Sequence, residues 1–105
     1  MVTNGQLWRR VSRLSVLFKH ALQIVRSYLA KHMPEEIVAA QLHDYDVLHR
    51  QVVAALAYFS YGCPIHNAHM LDRFVPRLTR ALQEMAAIVR CTDREITGYA
   101  VGRRH

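Results

Sequence analysis

The first third of the chain contains one long periodic segment, which at residues 7–29 reads LWRRVSRLSVLFKHALQIVRSYL. Apolar or helix-compatible residues recur there in alternating steps of four and three, at Leu7, Val11, Leu14, Phe18, Ala21, Val25 and Tyr28. This spacing places them on one face of an α-helix. That face is widened by the flanking residues Trp8, Leu17, Leu22, Ile24 and Leu29. The segment therefore predicts a helix that packs against more than one neighbour.

Two further helical segments follow from the same spacing. Pro34 separates the first two helices, because proline disfavours helical geometry in the residue before it and suits the start of a new helix. The second apolar stripe consists of Val38, Leu42, Tyr45, His49, Val52, Leu56 and Phe59. A third stripe runs from Leu71 to Val89 through Pro76, which predicts either one kinked helix or two helices that separate near Val75.

The predicted fold is all-α, a small bundle of three long helices. These helices cover about residues 4–32, 34–61 and 67–92, the last kinked at Pro76, and a short C-terminal helix or tail follows. The terminal helix is suggested by Thr92-Asp93-Arg94-Glu95, which has the spacing of a capping box. Residues 1–105 are predicted to form a single helical domain.

The basic residues are distributed asymmetrically. The formal net charge is +6. No carboxylate precedes Glu35, and the basic and acidic residues from Pro34 onward are equal in number, so the whole excess of positive charge belongs to the first third of the chain. The predicted basic patch consists of Arg9, Arg10, Arg13 and Arg26. Such asymmetry indicates an acidic partner, which can be a protein, a nucleic acid or a membrane surface; the alternative is a solvated helix face. Nucleic-acid binding is accordingly a functional hypothesis, although no helix-turn-helix signature accompanies the arginines.

The end of the second helix is apolar on all sides, since residues 52–61 read VVAALAYFSY. A chain of about 100 residues buries only around two thirds of its surface, so we expect this apolar surplus to enter an interface with a partner protein or with a second copy in a homodimer. The predicted interface residues are Val52, Val53, Leu56, Tyr58, Phe59, Tyr61, Leu14 and Phe18. The alternative is a three-helix monomer that accommodates every apolar side chain.

The sequence contains no catalytic motif, because it has neither a Gly-rich phosphate loop nor a nucleophile elbow. We therefore expect no enzymatic activity and no cofactor. Cys63, His66 and His69 could contribute to a metal site, but the paired ligand doublets usual in structural zinc sites are missing. The two cysteines and the absence of an uncharged apolar run of about 18 to 20 residues predict a cytoplasmic chain without a membrane span.

The layout resembles that of the small helical antiactivators of bacterial quorum sensing, the QslA-like and TraM-like proteins. The shared features are a length of about 100 residues, two long amphipathic helices and the apolar segment 48–59, LHRQVVAALAYF, without a catalytic motif. The resemblance implies a dimeric, all-α, non-enzymatic protein that binds a LuxR-type transcription factor and blocks its dimerisation or DNA binding. It contains no diagnostic motif, so no functional residue is transferred. The leading hypothesis is a regulator that sequesters a partner protein, and the second is a basic nucleic-acid-binding protein.

Overall fold

The computed structural model describes the backbone of residues 4–60 and 68–103 and the side chains of residues 5–59 and 70–94. The described residues form α1 (Asn4–Ala30), α2 (Glu35–Ser60), α3 (Ala68–Asp72) and α4 (Phe74–Arg103), and no strand occurs among them. The predicted all-α class, with three long helices, is confirmed.

A tight turn around Pro34 joins α1 to α2. The amide groups of His32 and Met33 both donate to the carbonyl of Leu29 at 3.0 Å, which closes the last turn of α1. The carbonyl of Pro34 accepts from the amide of Val38 at 3.1 Å and so begins the hydrogen-bond ladder of α2. As expected from the sequence, proline stands immediately before the second helix.

The third segment is not the single kinked helix that the sequence predicts over residues 67–92. A turn at Arg73 divides it into α3 and α4, which is the two-helix alternative. Pro76 therefore lies in the first turn of α4, where backbone amides have no acceptor within the helix and the missing donor is not needed. The helix continues to Arg103 instead of ending near residue 92. Thr92 does not cap a new helix, because its hydroxyl donates to the carbonyl of Ile88 at 2.9 Å, one turn earlier.

Hydrogen bonds between helices define the direction of each one. The indole of Trp8 donates to the carbonyl of Leu56 at 3.0 Å, and Arg26 donates to Asp46. Residue numbers thus rise along α1 as they fall along α2, so these two helices are antiparallel.

The contacts of α4 complete the topology. The hydroxyl of Tyr45 donates to Glu84 at 2.8 Å, and Arg77 donates to Gln51 at 3.4 Å. Residue numbers rise along α2 as they fall along α4, so α4 is antiparallel to α2 and parallel to α1. Because α1 packs against α2 and also against α4, the prediction that it needs more than one neighbour is confirmed.

The core is centred on the face of α1 that points between α2 and α4. Phe18 is fully buried there, with its ring edge-on to Tyr45 at 6.4 Å between centroids and stacked on His49 at 6.2 Å. The other buried apolar residues of α1 are Leu7, Val11, Leu22, Val25 and Leu29. His49 therefore has a packing role in the interior of the bundle.

Phe18 and Leu17 offer a matched test of this packing. Phe18→Ala should lower the free energy of unfolding by about 3–5 kcal/mol, because it removes a large buried ring and leaves a cavity. Leu17 is 58% exposed, so Leu17→Ala should change stability by less than about 0.5 kcal/mol. Urea unfolding followed by circular dichroism measures both values. Similar losses for the two variants would contradict the placement of the core.

Candidate functional site

The residues predicted to form an interface divide into two groups. Val52, Leu56, Phe59 and Phe18 are buried inside the single chain, so they belong to its core and offer no free surface in this structure. A charged residue at Leu56 or Phe59 would therefore disrupt folding before it could report on an interface.

The remaining members of the predicted interface are more accessible. Val53 is 47% exposed and Tyr58 is 64% exposed, whereas Leu14 is half-buried. Tyr61 lies outside the described residues. The end of α2 is thus buried on one face only, although its sequence is apolar on all sides. Whether another chain covers the second face stays a prediction.

The structure brings together three of the four predicted basic-patch residues. Arg9, Arg10 and Arg13 are all exposed and line one shallow depression at the start of α1, together with Gln6 and Leu14.

Arg26 does not join that group. One guanidinium nitrogen, Nη2, donates to both carboxylate oxygens of Asp46 on α2, at 2.6 and 2.8 Å. The side chain is therefore engaged in joining α1 to α2, and Arg26 is not a free cation for an external partner.

A second regular stripe of α1 faces away from the core. It consists of exposed residues spaced alternately three and four apart, of which the last lies in the turn directly after α1: Arg10, Arg13, Leu17, His20, Ile24, Ser27 and Lys31. We call this stripe the α1 outer face. Its apolar members are Leu17 and Ile24, which are 58% and 68% exposed, and Val16 beside it is also exposed. Cationic side chains occupy both ends of the stripe.

Sequence reasoning missed this surface because it counted Leu17 and Ile24 as flanks of the buried face. The sequence did contain this pattern, because helical spacing places Leu17 and Ile24 on the same line as Arg10, Arg13 and Lys31. Leu22 and Leu29, counted with them, are buried as expected.

The surface of the α1 outer face is shallow. One depression is lined by Ser12, Arg13, Val16 and Leu17, and another extends from His20 to Lys31 and includes Ile24 and Tyr28. A surface with such shallow depressions suits an elongated partner that lies along the helix. A small molecule usually requires a more enclosed cavity.

Three carboxylates near α1 and α4 are already engaged in contacts within the chain. Asp46 binds Arg26, Glu84 accepts from Tyr45, and Asp93 accepts from the hydroxyl of Tyr28. The hydrogen bond to Asp93 is the main cause that raises the pKa of Tyr28. Burial, followed by the hydrogen bond to Glu84, raises the pKa of Tyr45 to about 12. Among the described side chains, Arg9, Arg10 and Arg13 form no ion pair with any carboxylate.

The described residues show neither a metal centre nor a membrane-spanning helix. No group of three His, Cys, Asp or Glu side chains is arranged among them to hold a metal ion. The side chains of Cys63, His66 and His69 lie outside the described set, so that hypothesis remains open. None of the helices, as far as they are described, combines the length and hydropathy that crossing a bilayer requires.

Comparisons with protein-family models, with curated proteins and with solved structures found no match to the chain.

The tyrosine contact between α2 and α4 should make stability depend on alkaline pH. The pKa of Tyr45 is about 12 in the folded chain, above the ordinary value of 10.0. The stabilisation that the neutral Tyr45 hydroxyl gives the folded chain is therefore complete below about pH 10. It is lost as the pH rises through 12. The free energy of unfolding of the wild type should fall more steeply between these pH values than that of Tyr45→Phe. Urea unfolding at a series of pH values measures both slopes, and parallel curves would contradict the assignment.

Proposed function

We propose that this chain is a non-enzymatic regulatory protein that binds and sequesters a partner protein through an apolar helical surface. The observation that carries the proposal is the exposure of Leu17 and Ile24, at 58% and 68%, on the helix whose opposite face is already packed. The fold does not use these side chains. Burying a large aliphatic side chain contributes about 1.5–3 kcal/mol, so a partner that covers both would gain binding free energy from each.

The specific form of this proposal is an antiactivator of a LuxR-type transcription factor in bacterial quorum sensing. The chain would occupy an apolar surface that the factor otherwise uses for its own dimerisation or DNA binding. Support comes from the length of 105 residues, the all-helical architecture and the exposed apolar side chains of α1 and α2. In this mechanism the chain needs no catalytic group and no cofactor, because occupancy alone inhibits the partner.

Nucleic-acid binding is the second candidate, and one specific observation favours it. Arg9, Arg10 and Arg13 are exposed together at the start of α1, and no carboxylate occurs before Glu35. Three such cations could contact phosphates without reading a base sequence. Because phosphate contacts release counterions, the affinity of such a complex would fall steeply as salt increases.

Affinity purification from nuclease-treated lysate of the native host separates the two candidates. We expect the wild-type chain to retain one protein in stoichiometric amount at high salt. The purified partner should then lose its own dimerisation, or its binding to DNA, when the chain is added at equal concentration. Sedimentation equilibrium and fluorescence anisotropy measure these two effects.

A different set of results would favour nucleic-acid binding instead. Retention that disappears after nuclease treatment would contradict the proposal, especially if generic duplex DNA binds with a steep salt dependence. In that case substitution of Arg9, Arg10 and Arg13 by Gln should abolish DNA binding. The matched control is Arg73→Gln/Arg80→Gln/Arg94→Gln, which removes three exposed cations in the turn before α4 and along α4 and should leave DNA binding unchanged.

A further inference from the structure

We infer that the α1 outer face binds an acidic amphipathic helix of a partner protein, which lies lengthwise along α1 with its apolar residues against Leu17 and Ile24. This inference rests on the proposed function and deepens it, because it assigns the surface and the chemistry of its occupant.

The spacing of the exposed residues suits a helix as the occupant. Leu17 and Ile24 are seven residues apart on one line of α1 and therefore about 10.5 Å apart along its axis. Two helices that pack nearly parallel or antiparallel meet at this repeat, since residues seven apart return to the same face. A partner helix would place apolar side chains at positions i and i+7 over these two residues. Arg10 to Ser27 extends over about 26 Å of α1, and Lys31 follows in the turn after it, so the stripe corresponds to a partner helix of about 20 residues.

The charges at the ends of the stripe determine the polarity of the occupant. Arg10 and Arg13 precede Leu17, and Lys31 follows Ile24 by two helical turns. Among the described side chains, no ion pair or hydrogen bond engages the charged groups of these three residues. A partner helix with carboxylates at both ends and apolar residues between them would complement this order. Such rim charges accelerate association and select the partner.

Among the described residues, a second copy of the chain does not offer this complement. Two α1 outer faces would place cations opposite cations in either orientation, because residues 1–34 contain no carboxylate. Exposed carboxylates do occur at the start of α2, where Ile37 is also exposed. However, the residue seven positions after Ile37 is Asp44, so that helix lacks the second apolar side chain that the stripe requires.

The stripe also fits a protein helix better than a nucleic acid or a membrane. Phosphates would pair with the cations, but they would leave Leu17 and Ile24 in water. A membrane-surface helix usually has a broad apolar face with Trp, Phe or Leu, whereas this stripe has two apolar side chains with His20 between them. A narrow apolar seam with acidic ends uses both the apolar pair and the cations of the α1 outer face.

The test uses the full-length chain and a phage-displayed library of single helices of about 20 residues, randomised at every surface position. We expect the selected peptides to converge on apolar residues seven positions apart, with Asp or Glu near both ends. Synthetic versions of these peptides are then titrated with the chain in fluorescence-anisotropy measurements, together with copies in which Lys replaces each Asp and Glu.

Two pairs of variants locate the contact. Leu17→Ser/Ile24→Ser should weaken binding of the acidic peptide at least about tenfold, as expected for the loss of two buried apolar contacts. Ile37→Ser/Met70→Ser, which changes exposed apolar residues of α2 and α3, is the matched control and should leave affinity within about twofold.

The charge variants complete the test. Arg10→Glu/Arg13→Glu should abolish binding of the acidic peptide and permit binding of its Lys copy. Arg80→Glu/Arg94→Glu makes the same charge change at exposed positions of α4 and should alter neither affinity. Circular dichroism confirms that all variants remain helical.

Several outcomes would overturn the inference. The inference is wrong if the selected peptides are basic or uncharged, or if the Leu17 and Ile24 substitutions leave peptide binding unchanged. It is also wrong if phosphatidylglycerol vesicles or duplex DNA bind more tightly than any selected peptide. Self-association that Leu17→Ser/Ile24→Ser abolishes would contradict it as well. The proposed function fails separately, when no host protein is retained. A retained partner whose binding ignores every substitution on the α1 outer face would leave the proposed function intact and refute this inference alone.

Discussion

The architecture depends on the burial of one face of α1 between α2 and α4. Phe18 lies at the centre of this contact, and the buried residues before and after it extend the same stripe along most of the helix. Because α2, α4 and the short α3 all pack on α1, the buried sector of α1 is limited to directions that point toward those helices. Side chains outside that sector remain in water whatever their polarity. The exposure of Leu17 and Ile24 is therefore a geometric consequence of a central helix whose neighbours, α2, α4 and the short α3, cover only part of its circumference.

The number and approximate location of the long helices could be predicted from the sequence, because apolar spacing and Pro34 act locally. The division of the third segment was harder. A single apolar phase runs through Pro76, and only the structure shows that the chain breaks at Arg73 and places the proline in a first helical turn. The end of α4 was also missed, since the hydroxyl of Thr92 can either cap a new helix or donate back to Ile88. The sequence pattern alone does not decide between these two uses.

The candidate site was less predictable for a different reason. Helical spacing shows which residues share a face, but it does not show how much of that face the neighbouring helices cover. Leu22 and Leu17 have the same chemistry, yet Leu22 points into the bundle and Leu17 points away from it. Arg26 likewise has the same charge as Arg10, but only Arg26 lies on the side that meets Asp46. These distinctions come from the positions of α2 and α4 around α1.

The length of α4 has a consequence for hydrodynamic behaviour. Asp93 lies level with Tyr28, close to the end of α1, while α4 continues to Arg103, so about two turns of α4 extend beyond the neighbouring helices. The Cα atoms span 64 × 28 × 15 Å, with a radius of gyration of 17.5 Å. A compact domain of this length would have about 13 Å. A rod of this shape diffuses more slowly than a sphere of equal mass, so in size-exclusion chromatography the monomer would elute early and imitate a dimer.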